Sequence, residues 1–207
     1  MFTKGLPKNL QDNLALLGKS VEFRKFYLAG GSALSLLLGH RLSVDLDFFT
    51  PQDFDSKSIQ NSLMKTGSFS LDQIAENTLL GKLNGVKISF FTYRYPLLLK
   101  PKVFMGVKIA SVEDIACMKL EAIGSRGVKR DFVDLYFIIK KIELGKIFKL
   151  FSKKYKKVHF NLQHLLKSLT YFEDAEGEKT PPMLTQVSWG EVKKFFVKEV
   201  KKLALTI

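Results

Sequence analysis

The strongest constraint on the fold lies in residues 26–49, where two apolar runs flank a glycine pair and a short helical pattern. Phe26-Tyr27-Leu28-Ala29 is apolar and aromatic, which predicts a buried strand. Gly30-Gly31-Ser32 interrupts this run before a leucine-rich stretch that predicts a helix. The chain then turns into a second predicted strand, Val44 to Phe49. These residues predict a unit of strand, loop, helix and strand.

Two carboxylates stand on the second predicted strand. Asp45 and Asp47 are separated by one residue, and side chains alternate along a strand, so both point to the same face. Neighbouring carboxylates repel unless a cation or a proton lies between them, and oxygen ligands suit Mg²⁺ that bridges to substrate phosphates. An Asp-x-Asp pair is more often a solvated strand edge. Here the apolar neighbours Leu46 and Phe48 indicate a central strand, where unpaired charge is costly, and therefore favour a metal site.

The glycine pair opens onto a helix N-terminus. Free backbone N–H groups and the positive end of the helix dipole lie there, and glycine permits close approach of a phosphate. The Ser32 hydroxyl can either cap the helix or bind a phosphate oxygen. A Gly-Gly-Ser turn is by itself more often only a break between two secondary-structure elements. His40, between this loop and Asp45, either binds the nucleotide or fixes the turn.

A second group of charged residues lies in the C-terminal half. Lys119 borders the apolar stripe of a predicted helix, where it is either functional or a snorkelling side chain. Asp131 opens the next apolar helix and could be only its N-cap. Asp134, one turn further on, could simply pair with Lys129 or Arg130.

Three stretches of the chain resemble a known family. The string GGSALSLLLGHRLSVDLDFF, residues 30–49, is similar to the first motif of the AbiEii-type nucleotidyltransferase toxins. These proteins occur in abortive-infection and toxin-antitoxin systems and belong to the DNA polymerase beta-like superfamily. The resemblance continues through SVEDIACMKL, residues 111–120, and RGVKRDFVDL, residues 126–135, which look like the family's later Lys, Arg and Asp motifs in the expected order.

The resemblance implies a metal-dependent transfer of a nucleoside monophosphate from an NTP to an acceptor, with pyrophosphate leaving. Among relatives the acceptors include the 3′ end of tRNA, whose blockage stops translation. By position, Asp45 and Asp47 would hold Mg²⁺ or Mn²⁺ against the triphosphate. The phosphate contacts implied in the same way are Gly30, Gly31, Ser32, Arg41 and Ser43.

The later motifs imply roles for the C-terminal group. Lys119 and Arg126 would neutralise the charge that develops as pyrophosphate departs. Asp131 would act as a base or as the residue that orients this basic pair. Asp134 is a weaker candidate for the same site.

One position departs from the superfamily pattern. Polymerase beta-like enzymes commonly carry a third carboxylate on a neighbouring strand, and the corresponding stretch VKISFF offers Ser89 instead. Either Asp131 then takes the role of base, or the reaction runs with a metal and no dedicated base, or the protein binds nucleotide or RNA without turnover. Transfer of AMP onto a protein is a further alternative, because it uses the same metal site and differs only in the acceptor.

Composition sets the wider limits. The chain has 207 residues and 46% hydrophobic content, which is ample for a packed core. No apolar run is long enough to span a bilayer, so we expect a cytoplasmic protein without a membrane partner. The single cysteine, Cys117, excludes an internal disulfide and a cysteine-based zinc site, and its apolar helix predicts a buried packing residue.

The chain is strongly basic. A formal net charge of +13 indicates a polyanionic partner, and an RNA acceptor fits this charge. A solvated lysine-rich surface is an equally good interpretation. An antitoxin partner is implied by the resemblance alone. The lysines concentrate in two segments: Lys140, Lys141, Lys146, Lys149, Lys153, Lys154, Lys156 and Lys157, followed by Lys193, Lys194, Lys198, Lys201 and Lys202.

The order of elements predicts the architecture. Mixed helices and strands precede residue 110, and helical periodicity dominates from residue 111 onward. We therefore predict an α+β protein, with a polymerase beta-like mixed-sheet nucleotidyltransferase core over residues 1–110 and a helical C-terminal domain over residues 111–207. The helical domain is expected to complete the active-site cleft.

Overall fold

The computed structural model describes residues 1–205, and the chain divides into two compact units, Met1–Ser111 and Val112–Ile207. Within the described residues, every strand of the sheet lies in the first unit and the second unit is helical. The α+β fold class predicted from the sequence is confirmed.

The first unit is built on one mixed sheet of seven strands, in the order β3-β4-β5-β2-β1-β7-β6. Strand β2 pairs antiparallel with β1 and parallel with β5, and β1 pairs parallel with β7. The strands are β1 (Tyr27–Ala29), β2 (Leu46–Thr50), β3 (Phe69–Ala75), β4 (Thr78–Leu83), β5 (Val86–Thr92), β6 (Lys102–Phe104) and β7 (Val107–Ile109). Thus β1, β2 and β5 are central strands, as the apolar residues around the two aspartates indicate.

Three α-helices accompany this sheet: α1 (Lys8–Lys19), α2 (Gly30–Leu38) and α3 (Ser56–Thr66). In α1, Leu10, Leu14 and Leu17 recur at helical spacing and are fully buried. Alternate residues of the strands enter the same core, where the rings of Phe48 and Phe90 stack with their centroids 5.1 Å apart. These aromatic side chains pack one face of the central strands.

The turns follow local backbone chemistry. Asn84 and Gly85 both have positive φ angles, as a two-residue hairpin turn between twisted strands requires, and they join β4 to β5. An Asn-Gly pair between two apolar runs predicts such a hairpin from the sequence, and the pairing of β4 with β5 confirms it. The sequence of residues 107–110 predicts a short edge strand, but β7 is paired on both sides, by β1 and β6. The edge position belongs to β6.

The second unit packs its helices around aromatic side chains. The helices are α4 (Val112–Ser125), α5 (Lys129–Ile139), α6 (Leu144–Lys154), α7 (Leu162–Ser168), α8 (Glu173–Glu176) and α9 (Trp189–Ala204). Phe132 of α5 contacts Phe196 of α9 edge to face, with ring centroids 5.4 Å apart. A capping box of Ser188 and Glu191 begins α9, as the sequence spacing predicts. Through residue 205, none of these helices combines the length and apolarity needed to cross a bilayer.

Candidate active site

The glycine pair forms the first turn of α2. The helix begins at Gly30, so Gly30, Gly31 and Ser32 are its first three residues instead of the separate loop that the sequence predicts. Gly30 has a φ of +66°, a conformation that glycine adopts without strain. The preceding residue, Ala29, provides no side-chain cap. The N-cap residue therefore offers no side-chain acceptor to the first N–H groups of this nine-residue helix, and N–H groups at a helix N-terminus can bind an anion.

Asp47 lies directly against this helix N-terminus. It is the β2 partner of Ala29 in β1, so strand pairing brings it level with the start of α2. A Cβ atom placed on Gly30 would lie 3.2 Å from Oδ2 of Asp47. Only a glycine leaves this space open, and the carboxylate and the helix N-terminus can therefore contact the same small ligand.

The other oxygen of Asp47 is held by Ser89. The two residues are partners in the parallel register of β2 and β5, and the Ser89 hydroxyl donates to Oδ1 of Asp47 over 2.9 Å. Ser89 therefore orients the Asp47 carboxylate. Its contact leaves Oδ2 as the oxygen that faces Gly30.

Asp45 precedes the strand that was predicted to contain it, because β2 begins at Leu46. Asp45 and Asp47 are both partly exposed, whereas Leu46 between them is buried, so the two carboxylates share the exposed side. The Ser32 hydroxyl donates a hydrogen bond to the main-chain oxygen of Asp45. This contact is neither the helix cap nor the phosphate contact considered from the sequence, and it ties α2 to the segment that carries Asp45.

Two further predicted phosphate contacts gather at Gly31. A Cβ atom there would lie 2.3 Å from Nη2 of Arg41 and 3.0 Å from Oγ of Ser43. Arg41 is only 5% exposed, and its Nη1 donates to the main-chain oxygen of Leu42 over 2.9 Å. The guanidinium is therefore held beside the start of α2, where its charge adds to that of the helix dipole. His40 is buried next to it.

A divalent cation fits this arrangement as a shared ligand of protein and substrate. Among residues 1–205, no group of three or more His, Cys, Asp or Glu side chains forms a complete metal cage. Mg²⁺ does not need one, because it is commonly held by one or two carboxylates together with substrate phosphates and water. Asp45 and Asp47 offer two such carboxylates on one side of the chain, next to the helix N-terminus.

The second unit contains a charged network of its own. Lys119 on α4 donates to Oδ1 of Asp131 over 2.7 Å and lies 2.6 Å from Oδ2 of Asp134. The two aspartates on α5 are almost completely buried, and the Lys119 side chain is 8% exposed. Arg126 is 56% exposed and reaches Oδ2 of Asp131 at 3.3 Å. Two cations thus balance two buried carboxylates, and Arg126 is the member that faces solvent.

This network corrects one interpretation of the sequence. Asp134 pairs with Lys119, and not with Lys129 or Arg130 as its spacing allows. Lys129 instead donates through its ammonium group to main-chain oxygens of Glu176 and Glu178. The sequence contained no signal for these contacts, because they join residues 47 and 49 positions apart.

Glu121, which lies near the network on α4, has a pKa that is raised above its ordinary value of 4.5. Burial is the main cause, and the charge of Asp131 adds to it, while Arg126 opposes both. Ionisation of Glu121 therefore costs more in the folded than in the unfolded state. Its contribution to stability is most favourable below pH 4.5 and is lost as the pH rises through the raised folded-state pKa.

We expect Glu121→Gln to raise the melting temperature at pH 7, because glutamine keeps the shape and removes the desolvated charge. The advantage should shrink as the pH falls below 4.5, where the parental glutamate is protonated in both states. Thermal unfolding of both proteins at pH 4 and pH 7 checks this. A glutamine variant less stable than the parent at pH 7 would contradict the expectation.

Cys117 is fully buried in α4, as its apolar surroundings predict. Burial raises the pKa of its thiol to about 12. The thiolate is therefore scarce at neutral pH, and a covalent mechanism on Cys117 has no support.

The fold compares well with solved nucleotidyltransferases. It is similar to MenT4, a nucleotidyltransferase toxin from Mycobacterium tuberculosis H37Rv, with a TM-score of 0.63, 16% identity, and coverage of 95% of this chain and 82% of that one. It is also similar to the antibiotic-resistance factor ANT(2'')-Ia, with a TM-score of 0.54, 13% identity, and coverage of 76% and 94%. The structure thus has a nucleotidyltransferase fold.

Sequence comparison identifies the family. The model of the nucleotidyl transferase AbiEii toxin of type IV toxin-antitoxin systems matches residues 14–109 and 91–203. An uncharacterised protein of Aquifex aeolicus (strain VF5) is 44% identical over 183 residues, which cover 86% of this chain and 87% of that protein. The chain belongs to the AbiEii nucleotidyltransferase toxin family, and it is a nucleotidyltransferase. The family resemblance read from the three motifs is confirmed.

Proposed function

We propose that the protein transfers a nucleoside monophosphate from an NTP to RNA, at the 3′ end of a tRNA, and acts in this way as the toxin of a toxin-antitoxin pair. One observation carries the proposal: Oδ2 of Asp47 faces Gly30 at the N-terminus of α2, where the N-cap residue supplies no side-chain hydrogen bond. The carboxylate favours a cation and the helix N-terminus favours an anion. The two side by side therefore suit a triphosphate that carries a metal ion.

Asp45 and Asp47 would hold Mg²⁺ or Mn²⁺. A bound cation of this kind supplies Lewis-acid polarisation of the α-phosphate and charge neutralisation of the triphosphate. Ser89 keeps Asp47 in its orientation through the hydrogen bond to Oδ1. The main-chain N–H groups of Gly30 and Gly31 and the Arg41 guanidinium would bind phosphate oxygens.

In the reaction, an acceptor hydroxyl attacks the α-phosphorus, and the bond from that phosphorus to pyrophosphate breaks. The products are the extended acceptor, pyrophosphate and a proton. In-line phosphoryl chemistry of this kind depends mainly on positioning and on charge stabilisation. The groups held at the start of α2 meet both requirements, because the Asp47 and Arg41 side chains are fixed by contacts to Ser89 and to Leu42.

For the second unit we propose a division of roles within the charged network. Lys119 is engaged by two buried aspartates, which favours a structural role in holding α4 against α5. Asp131 contacts both Lys119 and Arg126. These contacts favour a role in orienting the two cationic side chains over a role as a base. Arg126, with more than half of its side chain exposed, is the member we assign to the departing pyrophosphate.

Charge supports a nucleic-acid acceptor. Three exposed lysines of α6 follow one another at spacings of three and four residues, which places Lys146, Lys149 and Lys153 along one helix face. Within residues 1–205, no carboxylate lies within salt-bridge distance of these three ammonium groups. A linear row of uncompensated cations suits a phosphate backbone. Family membership suggests an antitoxin partner for the protein as well.

The test is incubation of the purified protein with total cellular RNA, Mg²⁺ and each α-³²P-labelled NTP in turn, followed by a denaturing gel. We expect label on a discrete band of tRNA size that ribonuclease removes and protease does not. Chelation of the metal should abolish the signal, and Mg²⁺ or Mn²⁺ should restore it. Label on protein alone would show that the acceptor is a protein and not RNA. Absence of label from RNA and protein with all four nucleotides would overturn the proposed reaction.

A further inference from the structure

A row of aromatic side chains continues from the candidate active site along the same face of the sheet. We call Phe49, Phe91, Tyr93 and Tyr95 the aromatic row. The ring centroids of Phe49 and Phe91 are 5.7 Å apart with an interplanar angle of 31°. Tyr93 contacts Phe49 at 5.7 Å and Tyr95 at 4.9 Å, in both cases edge to face. The row thus forms one continuous aromatic surface.

Strand register fixes the position of this surface relative to the carboxylate. Asp47 pairs with Ser89, and Phe49 pairs with Phe91, in the parallel ladder of β2 and β5. Side chains two residues apart on a strand lie on the same face, and two residues advance the chain by about 7 Å. The Phe49 and Phe91 rings therefore lie on the same face of the sheet as Asp47, at about the distance that a ribose bridges between phosphate and base.

Exposure separates this row from the aromatic core. On the other face of the same two strands, Phe48 and Phe90 are 1% and 0% exposed. Phe49 and Phe91 are both partly exposed, although the preceding residue of each strand is buried. Tyr93 and Tyr95 are partly exposed as well. The face that carries Phe49 is packed only in part, because Tyr27, stacked on Phe49 with ring centroids 6.0 Å apart, is buried, whereas Phe49 and Phe91 keep exposed surface. Partly exposed aromatic rings of this kind suit a planar ligand.

We propose that Phe49 and Phe91 form a stacking platform for a nucleobase. This inference rests on the proposed function, because the phosphate position next to Asp47 is what brings a nucleotide to the row. Because the rings follow Asp47 on the same face, a nucleotide whose phosphates contact Gly30 and Arg41 can place its base against them. The base comes either from the NTP or from the terminal nucleotide of the acceptor. Stacking accepts every base, because each has a π face.

The test measures binding, so that it does not depend on turnover. Titration calorimetry compares non-hydrolysable analogues of the four NTPs with inorganic tripolyphosphate, all with Mg²⁺, on the parent and on Phe91→Ala. Loss of one stacking surface should weaken the nucleotides by about 5- to 100-fold. Tripolyphosphate has no base, so its affinity should not change. Phe91→Leu keeps apolar bulk without a π face and should resemble Phe91→Ala.

The control is Tyr171→Ala, which removes an exposed aromatic side chain in the second unit and should leave every affinity unchanged. Circular dichroism of each variant establishes that its fold is retained, and Phe49→Ala serves as a second test of the platform. A short RNA ending in an unpaired nucleotide provides the second arm. Weakened RNA binding with unchanged NTP binding assigns the platform to the acceptor base, and the reverse assigns it to the NTP.

The outcomes separate this inference from the proposed function. Nucleotide and RNA affinities that are the same in the parent, Phe49→Ala and Phe91→Ala overturn the platform and leave nucleotidyl transfer untouched. An equal loss for tripolyphosphate and for nucleotides also overturns it, because the variant has then disturbed the phosphate position. A parent protein that binds neither nucleotides nor tripolyphosphate overturns the proposed function and the platform with it.

Discussion

Asp47→Asn should reduce nucleotidyl transfer on the order of 10³-fold, since a metal-binding carboxylate contributes several kcal/mol of transition-state stabilisation. Asparagine is the informative replacement. Its side-chain oxygen can still accept the hydrogen bond that Ser89 donates to Oδ1 over 2.9 Å, so the local shape is preserved. What the variant loses is the negative charge opposite Gly30. Its melting temperature should stay close to that of the parent, because relief of repulsion between the two carboxylates offsets the loss of negative charge at the N-terminus of α2.

Asp72→Asn is the matched control for this experiment. Asp72 lies on the edge strand β3 of the same sheet and is exposed, so the same chemical change is made away from the site. Rates from the labelling assay with the parent, Asp47→Asn and Asp72→Asn decide the result. Parental activity in Asp47→Asn would remove Asp47 from the site, and equal losses in both variants would indicate a general effect of charge.

Lys154→Met should lower the free energy of unfolding by about 3–5 kcal/mol, the usual cost of leaving one member of a buried ion pair without its partner. Lys154 at the end of α6 donates to Oδ1 of Asp114 on α4 over 2.7 Å, and both side chains are 0% exposed. Methionine fills much of the same volume. The loss of stability therefore reflects the buried Asp114 charge without the Lys154 ammonium group more than it reflects a cavity. Urea unfolding followed by fluorescence of Trp189, the one tryptophan of the chain, reports on the unit concerned.

The adjacent residue provides the control. Lys153 is exposed, and Lys153→Met should change stability by less than about 0.5 kcal/mol. Combining Lys154→Met with Asp114→Leu removes both charges and should recover most of the loss, because a buried pair replaced by apolar groups is often neutral. A single Lys154 variant as stable as Lys153→Met would show that the buried pair contributes little.

Local sequence patterns predicted much of the fold. The apolar runs and Asn84-Gly85 predicted the central strands and their hairpin, since side-chain periodicity and positive φ angles are properties of a few consecutive residues. The glycine pair and the two aspartates predicted a phosphate and metal site, and the structure places Asp47 against Gly30. That these residues act in catalysis remains a prediction.

Other features depended on contacts between distant parts of the chain. Lys154 was grouped with the exposed lysines of its segment, but it is completely buried against Asp114, 40 residues away. The same applies to Ser89. The resemblance marks it as the position where a third carboxylate is expected, and in the structure its hydroxyl holds Asp47, 42 residues away.

The sequence by itself therefore determined the order of elements, the family and the residue types of the candidate site. Only the tertiary structure decided which charges are paired, which aromatic rings keep exposed surface, and which oxygen of Asp47 faces the helix. The physical reason is that periodicity and turn chemistry are local, whereas burial and ion pairing depend on which distant segments the strand register and the helix packing bring together.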